Sequence, residues 1–257
     1  MVAEPALAPL GPMLGQQLLA ELRRLMRVPE FTGFSLAFPA MFYLFVGTQK
    51  GQYAGVTAHQ YVLASLAAYA VVNVALFSFG VTVAAERGNR IDALLRASPM
   101  RPIAPLFAKV VTALVFAFAA LLVLYAVAYT IGGVRMDASI WVTLTWRLLL
   151  GMIPFIGMGF AFGYLSGPSA AVAVINLVLL PMSFASGIFF PLDILPKPLQ
   201  EVGPYLPMYH LGRLAWSAIG IKYDDLFNSV LWLIGYTVLF LVVTLWAMRR
   251  EDDRRFT

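Results

Sequence analysis

Charged side chains are concentrated in one short segment of this sequence. Residues 86–102 read ERGNRIDALLRASPMRP, and the runs on either side are almost purely apolar. The segment carries six charged residues, and acids precede bases by four positions, as in the pair Glu86 and Arg90. This order is the favourable one on a helix surface, so the sequence predicts a short helix with its own electrostatic support.

The same segment carries an apolar ridge, because Ile91, Leu94 and Leu95 follow helical i, i+3, i+4 spacing. Pro99 and Pro102 cannot continue a helix and end it. Two interpretations of the ridge stay open. It could rest on the surface of a bilayer, or it could fit a groove on a soluble partner.

No group of residues in this sequence predicts a reaction centre or a metal site. His59 and His210 lie in separate segments without a carboxylate cluster, and the patterns HExxH, GxSxG and GxxxxGK[ST] are absent. Asn73 and Asn176 are polar residues inside long apolar runs. Their expected role is interhelical hydrogen bonding, although a transported solute could also contact them. We therefore expect a chain that is not itself an enzyme and binds no cofactor.

The composition indicates lipid as the solvent. The chain has 257 residues, of which 61% are hydrophobic and only 12% are charged, whereas soluble domains carry about 25% charged residues. A single soluble core cannot hide so much apolar surface. The net charge of +5 does not indicate nucleic acid, because the basic residues lie in short loops between apolar runs rather than on one polar face.

The apolar runs predict an all-α integral membrane protein with six transmembrane helices. A run of 45 uncharged residues, 148–192, is too long for one crossing, so it must fold back at the SGPS turn, 166–169. The predicted spans cover about 31–49, 60–85, 106–132, 141–165, 169–190 and 226–248.

The distribution of basic residues predicts the orientation. With six spans, twelve Lys and Arg residues fall on the side of both termini and six on the other side. The positive-inside rule then places both termini and residues 86–102 in the cytoplasm. We expect a multi-pass protein of the inner (plasma) membrane. Arg147 stands apart, about six residues into the fourth span. It could snorkel to the outer surface beside Trp141 and Trp146, or it could face a polar path.

Two further segments are amphipathic and are not expected to span. Residues 14–30 predict a helix in the cytoplasmic interface, with leucines on one face and arginines toward lipid phosphates on the other. The residues assigned to the polar face are Gln17, Glu21, Arg23, Arg24 and Arg27. Residues 191–222 contain several prolines and predict an extracellular re-entrant segment of short helices, one of them capped by Asp193. The small-residue patterns GFAFG, 159–163, and SFASG, 183–187, allow close helix contacts, possible between protomers.

These pieces together resemble the ABC-2-type permease family, the membrane subunits of ATP-driven exporters. The resemblance covers nearly the whole chain. It rests on the basic helix ending in RVPEF, the FP of the first span, the ER…R…LL…SP…RP segment followed by Lys109, and above all on SGIFFPLDILPKPLQEVGPYLPMYHL, 186–211. The start of the chain is more similar to the drug-resistance branch than to the polysaccharide branch.

The resemblance implies a partnership with ATPase subunits. Two permease copies, identical or related, would pair with two separate nucleotide-binding subunits, which would hold ATP and Mg. Residues 86–98 would be the coupling helix, and the amphipathic helix 14–30 would also touch the ATPase. The residues expected to engage the ATPase are Glu86, Arg87, Arg90, Ile91, Leu94, Leu95, Arg23, Arg24 and Arg27.

The resemblance also implies a pathway between the protomers, lined largely by spans one, two and five. Phe189, Phe190 and Pro191 would lie at its outer gate, and Asn73 and Asn176 would lie along it. The expected substrate is hydrophobic or amphipathic. Export of a lipid-linked glycan and a non-transporting membrane scaffold remain open alternatives. A membrane-embedded lipid enzyme would need clustered acids or histidines in the spans, which this sequence lacks.

Overall fold

The computed structural model describes residues 10–26, 29–47, 51–89 and 103–255, which form a mostly helical chain. The helices are α1 (Leu10–Met26), α2 (Pro29–Val46), α3 (Ala58–Leu76), α4 (Thr82–Gly88), α5 (Ile103–Thr130), α6 (Ala138–Gly151), α7 (Ile153–Leu165), α8 (Ala171–Ala185), α9 (Lys197–Val202), α10 (Pro207–Ala218) and α11 (Leu226–Arg255). A π-helical turn, Phe77–Val81, joins α3 to α4, and 3-10 turns occupy Leu192–Ile194 and Gly203–Tyr205. A hairpin of β1 (Gln52–Tyr53) and β2 (Val56–Thr57) precedes α3.

Helix α3 is the centre of the bundle. Nearly all of its 19 residues are buried, and α2, α5, α7 and α10 pack around it. The helix begins at a capping box, in which the Thr57 hydroxyl accepts a bond from the Gln60 amide and the Gln60 side chain accepts one from Thr57. Alanines such as Ala64, Ala67 and Ala68 let the surrounding helices approach closely.

The outer helices expose apolar faces. Helix α5 buries a stripe of small residues, including Ala113, Ala117 and Ala120, and exposes Phe118 and Leu122 on its opposite side. Helix α11 is exposed over most of its apolar length. Four stretches are long and apolar enough to cross a membrane, and two shorter apolar helices accompany them. The long stretches are Ala58–Gly88, Ala104–Thr130, Ala138–Leu165 and Leu226–Arg250, and the shorter ones are Ala37–Val46 and Ala171–Ala185. The architecture is that of an all-α membrane protein.

The GFAFG pattern of α7 packs within this chain. A Cβ atom built on Gly163 would lie 2.8 Å from the Cβ of Val83, and one on Gly159 would lie 3.0 Å from the Cβ of Phe79. Only glycine at these positions lets α7 approach the π-helical turn and the start of α4 this closely. At this face the pattern therefore makes a contact within the protomer. The sequence had left open a contact between protomers.

Breaks in the long apolar run fall at residues that disfavour helix. A turn at Met152, followed by Pro154 in the first turn of α7, separates α6 from α7. Residues 166–170 form the bend and turn that reverse the chain between α7 and α8. Helix α8 ends at Ala185, short of the predicted 190, because Gly187 has a φ of +80° and the chain then runs to Pro191 without a helix.

The segment between α8 and α11 contains the short helices α9 and α10. The expectation that Asp193 caps a helix is wrong, since α9 begins after Pro196 and Asp193 lies inside a 3-10 turn. Its carboxylate instead accepts a bond of 2.9 Å from the Tyr53 hydroxyl of the hairpin. The apolar face of α10, which includes Leu211 and Ala215, is buried, and α10 packs against α3, α6 and α11.

Candidate functional site

A lysine at the start of α5 joins three helices. The Lys109 amine lies 2.7 Å from a carboxylate oxygen of Glu21 on α1 and 2.5 Å from one of Glu86 on α4. The three side chains are largely withdrawn from solvent, with 9% of Lys109, 14% of Glu21 and 11% of Glu86 exposed. We call these three residues the Lys109 cluster.

The positions of Glu86 and Lys109 in the sequence explain one of the two ion pairs in this cluster. Glu86 ends the second apolar run and Lys109 precedes the third. Two successive membrane helices joined by a short connection have these ends on the same side, so an acid and a base there can meet. Glu86 was predicted to act at the ATPase contact, and its ion pair with Lys109 was not predicted.

The position of Glu21 corrects the expected helical face of α1. The sequence grouped Glu21 with the arginines on one polar face. Glu21 points toward α5 and is nearly buried, whereas Arg23 is exposed. Two residues that are two positions apart on a helix point about 200° apart, so they cannot share a face. Helix α1 packs along α5, and the ion pair adds a specific contact between them.

Arg87, the neighbour of Glu86, anchors α4 to a second helix end. Its Nη1 donates a bond of 2.5 Å to the carbonyl of Gly163 and one of 3.4 Å to that of Ser166, at the end of α7. Its guanidinium carbon also lies 5.2 Å from the centre of the Tyr164 ring. A cation at the C-terminal end of a helix satisfies free carbonyls and favours the helix dipole. Glu86 and Arg87 thus tie α4 to α1, α5 and α7 at one end of the bundle.

The rest of the predicted ATPase contact is only partly visible. The exposed position of Arg23 leaves it available to a partner. Arg90, Ile91, Leu94, Leu95 and Arg27 lie outside the described residues, as does the side chain of Arg24. Their roles stay predictions, as do those of Glu86, Arg87 and Arg23 at the ATPase.

At the opposite end, Phe189 is the hub of an aromatic cluster. Its ring centre lies 5.4 Å from that of Phe42 on α2, 5.2 Å from Tyr69 on α3 and 4.8 Å from Phe184 on α8. Phe190 is exposed and stacks on Phe184. The three helices are those of predicted spans one, two and five. We call Phe38, Phe42, Tyr69, Phe184 and Phe189 the Phe189 cluster.

The loop that carries Phe189 is fixed from α3 and α10. The Tyr61 hydroxyl donates a bond of 3.0 Å to the carbonyl of Gly187, and the Tyr61 ring stacks on Trp216 at 5.4 Å. Trp216 in turn donates a bond of 2.8 Å to the Ser65 hydroxyl. The sequence reasoning missed these supports. The sequence feature that could have revealed these supports is the four-residue spacing of Tyr61 and Ser65 in an uncharged run, which puts both side chains on one face of the helix.

The two asparagines are not brought together. Asn73 is buried on α3, and its Oδ1 has no hydrogen-bond partner among the described residues. Asn176 lies on α8 and is half-buried. In the described chain no hydrogen bond joins them, so they do not form one polar site within a single copy.

Arg147 and His210 both hold α10 in place. The Nη1 of Arg147 donates to the Ser217 hydroxyl at 2.7 Å and to the Leu214 carbonyl at 3.4 Å, near the end of α10. The His210 ring of α10 stacks on Trp232 of α11 with its centre 5.2 Å away.

These contacts join helices to one another at two ends of the bundle. Within the described ranges no group of three acids or histidines is arranged to hold a metal ion. The charged residues at one end join helices to one another, and the aromatic residues at the other end line a surface shared by three helices. The arrangement is that of a multi-pass membrane protein with an ionic cluster at one end and an aromatic cluster at the other.

Comparison with known proteins gives the family. The model of the family described as "ABC-2 family transporter protein" matches residues 32–248. The chain therefore belongs to the ABC-2 family of transporter proteins. It is also similar to a protein of Bacillus subtilis (strain 168) named "Putative transport permease YvfS", with 24% identity over 244 residues, which cover 93% of this chain and 98% of the relative. The resemblance found in the sequence is thereby confirmed at the level of the family.

Replacing Lys109 with glutamine should destabilise the folded chain. Removal of one partner from a buried ion pair costs up to about 3–5 kcal/mol, because the remaining charges stay withdrawn from water. We expect a lower melting temperature for Lys109→Gln in detergent, measured by tryptophan fluorescence or differential scanning calorimetry.

Two variants make this prediction specific to the cluster. Lys222→Gln removes an exposed lysine from a loop and should melt like the wild type. The neutral triple variant Lys109→Met, Glu21→Gln, Glu86→Gln should recover much of the lost stability, because no charge is then stranded. Equal melting of Lys109→Gln and Lys222→Gln would contradict the assignment.

Proposed function

We propose that this chain is the permease subunit of an ATP-driven exporter whose ATPase is a separate subunit. The observation that supports this most is the Lys109 cluster. It ties α1 to the two helix ends between which residues 90–102 run, and both α1 and that segment were predicted to contact an ATPase. A push on either element would therefore reach α4 and α5 together.

The packing of the central helix supports transmission of that push into the membrane. Helix α4 continues through the π-helical turn into α3, which is buried along nearly all of its length. Gly159 and Gly163 bring α7 into backbone contact with this region. A close-packed interior cannot yield locally, so displacement of the α4 end must shift the neighbouring helices.

Six membrane crossings are the topology that best fits the helix lengths. Four stretches are long enough on their own. Helix α2 has 18 residues and α8 has 15, or about 27 Å and 22 Å at 1.5 Å per residue, close to a hydrocarbon core of about 30 Å. Both termini and the Lys109 cluster then lie on the cytoplasmic side of the plasma membrane.

A re-entrant outer segment fits the contact between Tyr236 and Tyr205. The Tyr236 hydroxyl donates to the carbonyl of Tyr205. Tyr236 lies ten residues after Leu226, where α11 begins, which is about 15 Å along the helix. If α11 begins at the outer surface, the 3-10 turn at Tyr205 lies well inside the membrane, and α10 leads back out.

The Phe189 cluster favours a hydrophobic or amphipathic substrate. Its rings come from α2, α3, α8 and the loop after α8, and none of its five members is charged. Aromatic rings bind apolar and flat groups through area burial and offset contacts. We place the pathway between two copies of the chain, with Phe189, Phe190 and Pro191 at its outer gate and with Asn73 and Asn176 as polar contacts.

Co-purification with an ATPase tests the proposed partnership. The chain is expressed with its neighbouring genes, extracted in mild detergent and captured by a tag, and ATP hydrolysis in the eluate is measured. We expect an ATPase with the wild type and its loss with Ile91→Asp combined with Leu94→Asp, because two carboxylates on the predicted ridge oppose apolar docking.

The control for this experiment is Val202→Asp, which places a carboxylate at an exposed position of α9 on the opposite side. It should keep the ATPase. Absence of any ATPase from the wild-type eluate would contradict the proposal and would favour the membrane scaffold.

Truncation of Phe189 tests the substrate class in the same complex. An amphipathic aromatic dye should be transported into inside-out vesicles in an ATP-dependent manner. We expect Phe189→Ala to weaken its apparent affinity about three- to tenfold, since an aromatic contact contributes about 0.5–1.5 kcal/mol. Phe227→Ala, at an exposed position of α11, is the control. Equal dye transport by the two variants would contradict the assignment of Phe189 to the pathway.

A further inference from the structure

Arg147 lies within a long apolar stretch and has only neutral partners. Its described hydrogen bonds go to the Ser217 hydroxyl and the Leu214 carbonyl, and both use Nη1. Within the described ranges no carboxylate oxygen lies within 4 Å of its guanidinium. A charge at such a position is costly unless a counter-charge is supplied.

The position of Arg147 along the helices gives its depth. Sixteen residues separate Arg147 from Gly163, whose carbonyl accepts the bond from Arg87, and at 1.5 Å per residue this is about 24 Å. A hydrocarbon core is about 30 Å thick. Two arginines at this separation fit the two boundaries of the core, with Arg87 at the boundary that holds the Lys109 cluster and Arg147 at the other.

The neighbours of Arg147 form an exposed apolar stripe. Val142, Trp146 and Leu150 repeat every four residues on α6 and are 64%, 50% and 59% exposed. The Arg147 guanidinium carbon lies 5.8 Å from the centre of the Trp146 ring, and Arg147 itself is half-buried between this stripe and α10. Tryptophan is enriched at the level of lipid headgroups. The free edge of the guanidinium is therefore at the border between protein and lipid headgroups.

We propose that Arg147 binds the phosphate of an outer-leaflet phospholipid while its Nη1 holds the end of α10. The Nε and Nη2 groups, which make no hydrogen bond in the described chain, present two parallel N–H donors of the kind that guanidinium uses toward phosphate. The phosphodiester supplies the missing negative charge. The leaflet follows from the orientation proposed above, whereas the phosphate contact does not depend on it.

This contact makes a lipid part of the support of the outer segment. Helix α10 is held by Arg147 at its end and by the stack of His210 on Trp232 nearer its start. A bound phosphate would fix the Arg147 side chain and, through Ser217, the end of α10. Loss of the lipid should therefore loosen α10 while leaving the distant Lys109 cluster unchanged.

The test uses the full-length chain purified in detergent and stripped of lipid. Dioleoylphosphatidylglycerol, dioleoylglycerol and inorganic phosphate are added separately, and retained lipid and melting temperature are measured by native mass spectrometry and thermal unfolding. We expect phosphatidylglycerol to bind and to raise the melting temperature. Dioleoylglycerol has the same chains without the phosphate and should do neither. For Arg147→Gln we expect phosphatidylglycerol binding to be about tenfold weaker, as for loss of a charge-assisted hydrogen bond.

Matched variants keep the outcome specific. Arg135→Gln removes an exposed arginine that contacts the Tyr129 ring and carbonyl, and it should bind phosphatidylglycerol like the wild type. Ser217→Ala removes the hydroxyl partner but keeps the guanidinium, so it should melt earlier yet retain lipid. If Arg147→Gln does not fold, Arg147→Lys is measured instead, and the lost fork geometry should again weaken binding.

Two results would overturn the proposal. In one, Arg147→Gln or Arg147→Lys retains phosphatidylglycerol as well as the wild type. In the other, inorganic phosphate protects the wild type as well as phosphatidylglycerol does, which would make the site one for free anions. Neither result would bear on the ATPase partnership, because that is tested at the opposite end of the bundle.

Discussion

One largely buried lysine between two carboxylates holds one end of this molecule together. Lys109 lies within 2.7 Å of Glu21 and 2.5 Å of Glu86, and the three residues come from α1, α4 and α5. Because few of these side-chain atoms reach solvent, separating the charges of this cluster is costly. The positions of α1, the end of α4 and the start of α5 are therefore coupled.

A continuous series of contacts leads from this cluster through the interior of the bundle. Arg87 ties the same α4 to the end of α7, and glycines let α7 pack against the π-helical turn above it. From there α3 runs, almost entirely buried, to Tyr69 in the Phe189 cluster and to Tyr61, which holds the Gly187 carbonyl. A π-helical turn interrupts this path, and such turns are frequent at functional sites.

Much of the fold follows from simple patterns, and the site follows only in part. The long apolar runs predicted an all-α membrane protein, which the mostly helical structure confirms, and the motifs predicted the family, which the family match confirms. The inward direction of Glu21 was missed because acid and arginines were grouped by polarity rather than by angle. The partner of Gly163 and the cap assigned to Asp193 depend on which helices meet in space, and a single sequence does not contain that information. The pairing of Glu86 with Lys109 was readable, since both residues mark ends of adjacent spans.

The central claim is that α1 and the α4 end move as one body, and a distance measurement tests it directly. The chain has no cysteine, so spin labels can be placed at Arg23→Cys and Asn89→Cys, both at exposed positions. Double electron–electron resonance is recorded on the complex with its ATPase, without nucleotide and with ATP trapped. For the two labels within one copy, the account predicts a narrow distance that nucleotide does not change, and a broad one when Lys109→Gln is added. A nucleotide-dependent shift of this distance in the otherwise wild-type complex would contradict the account.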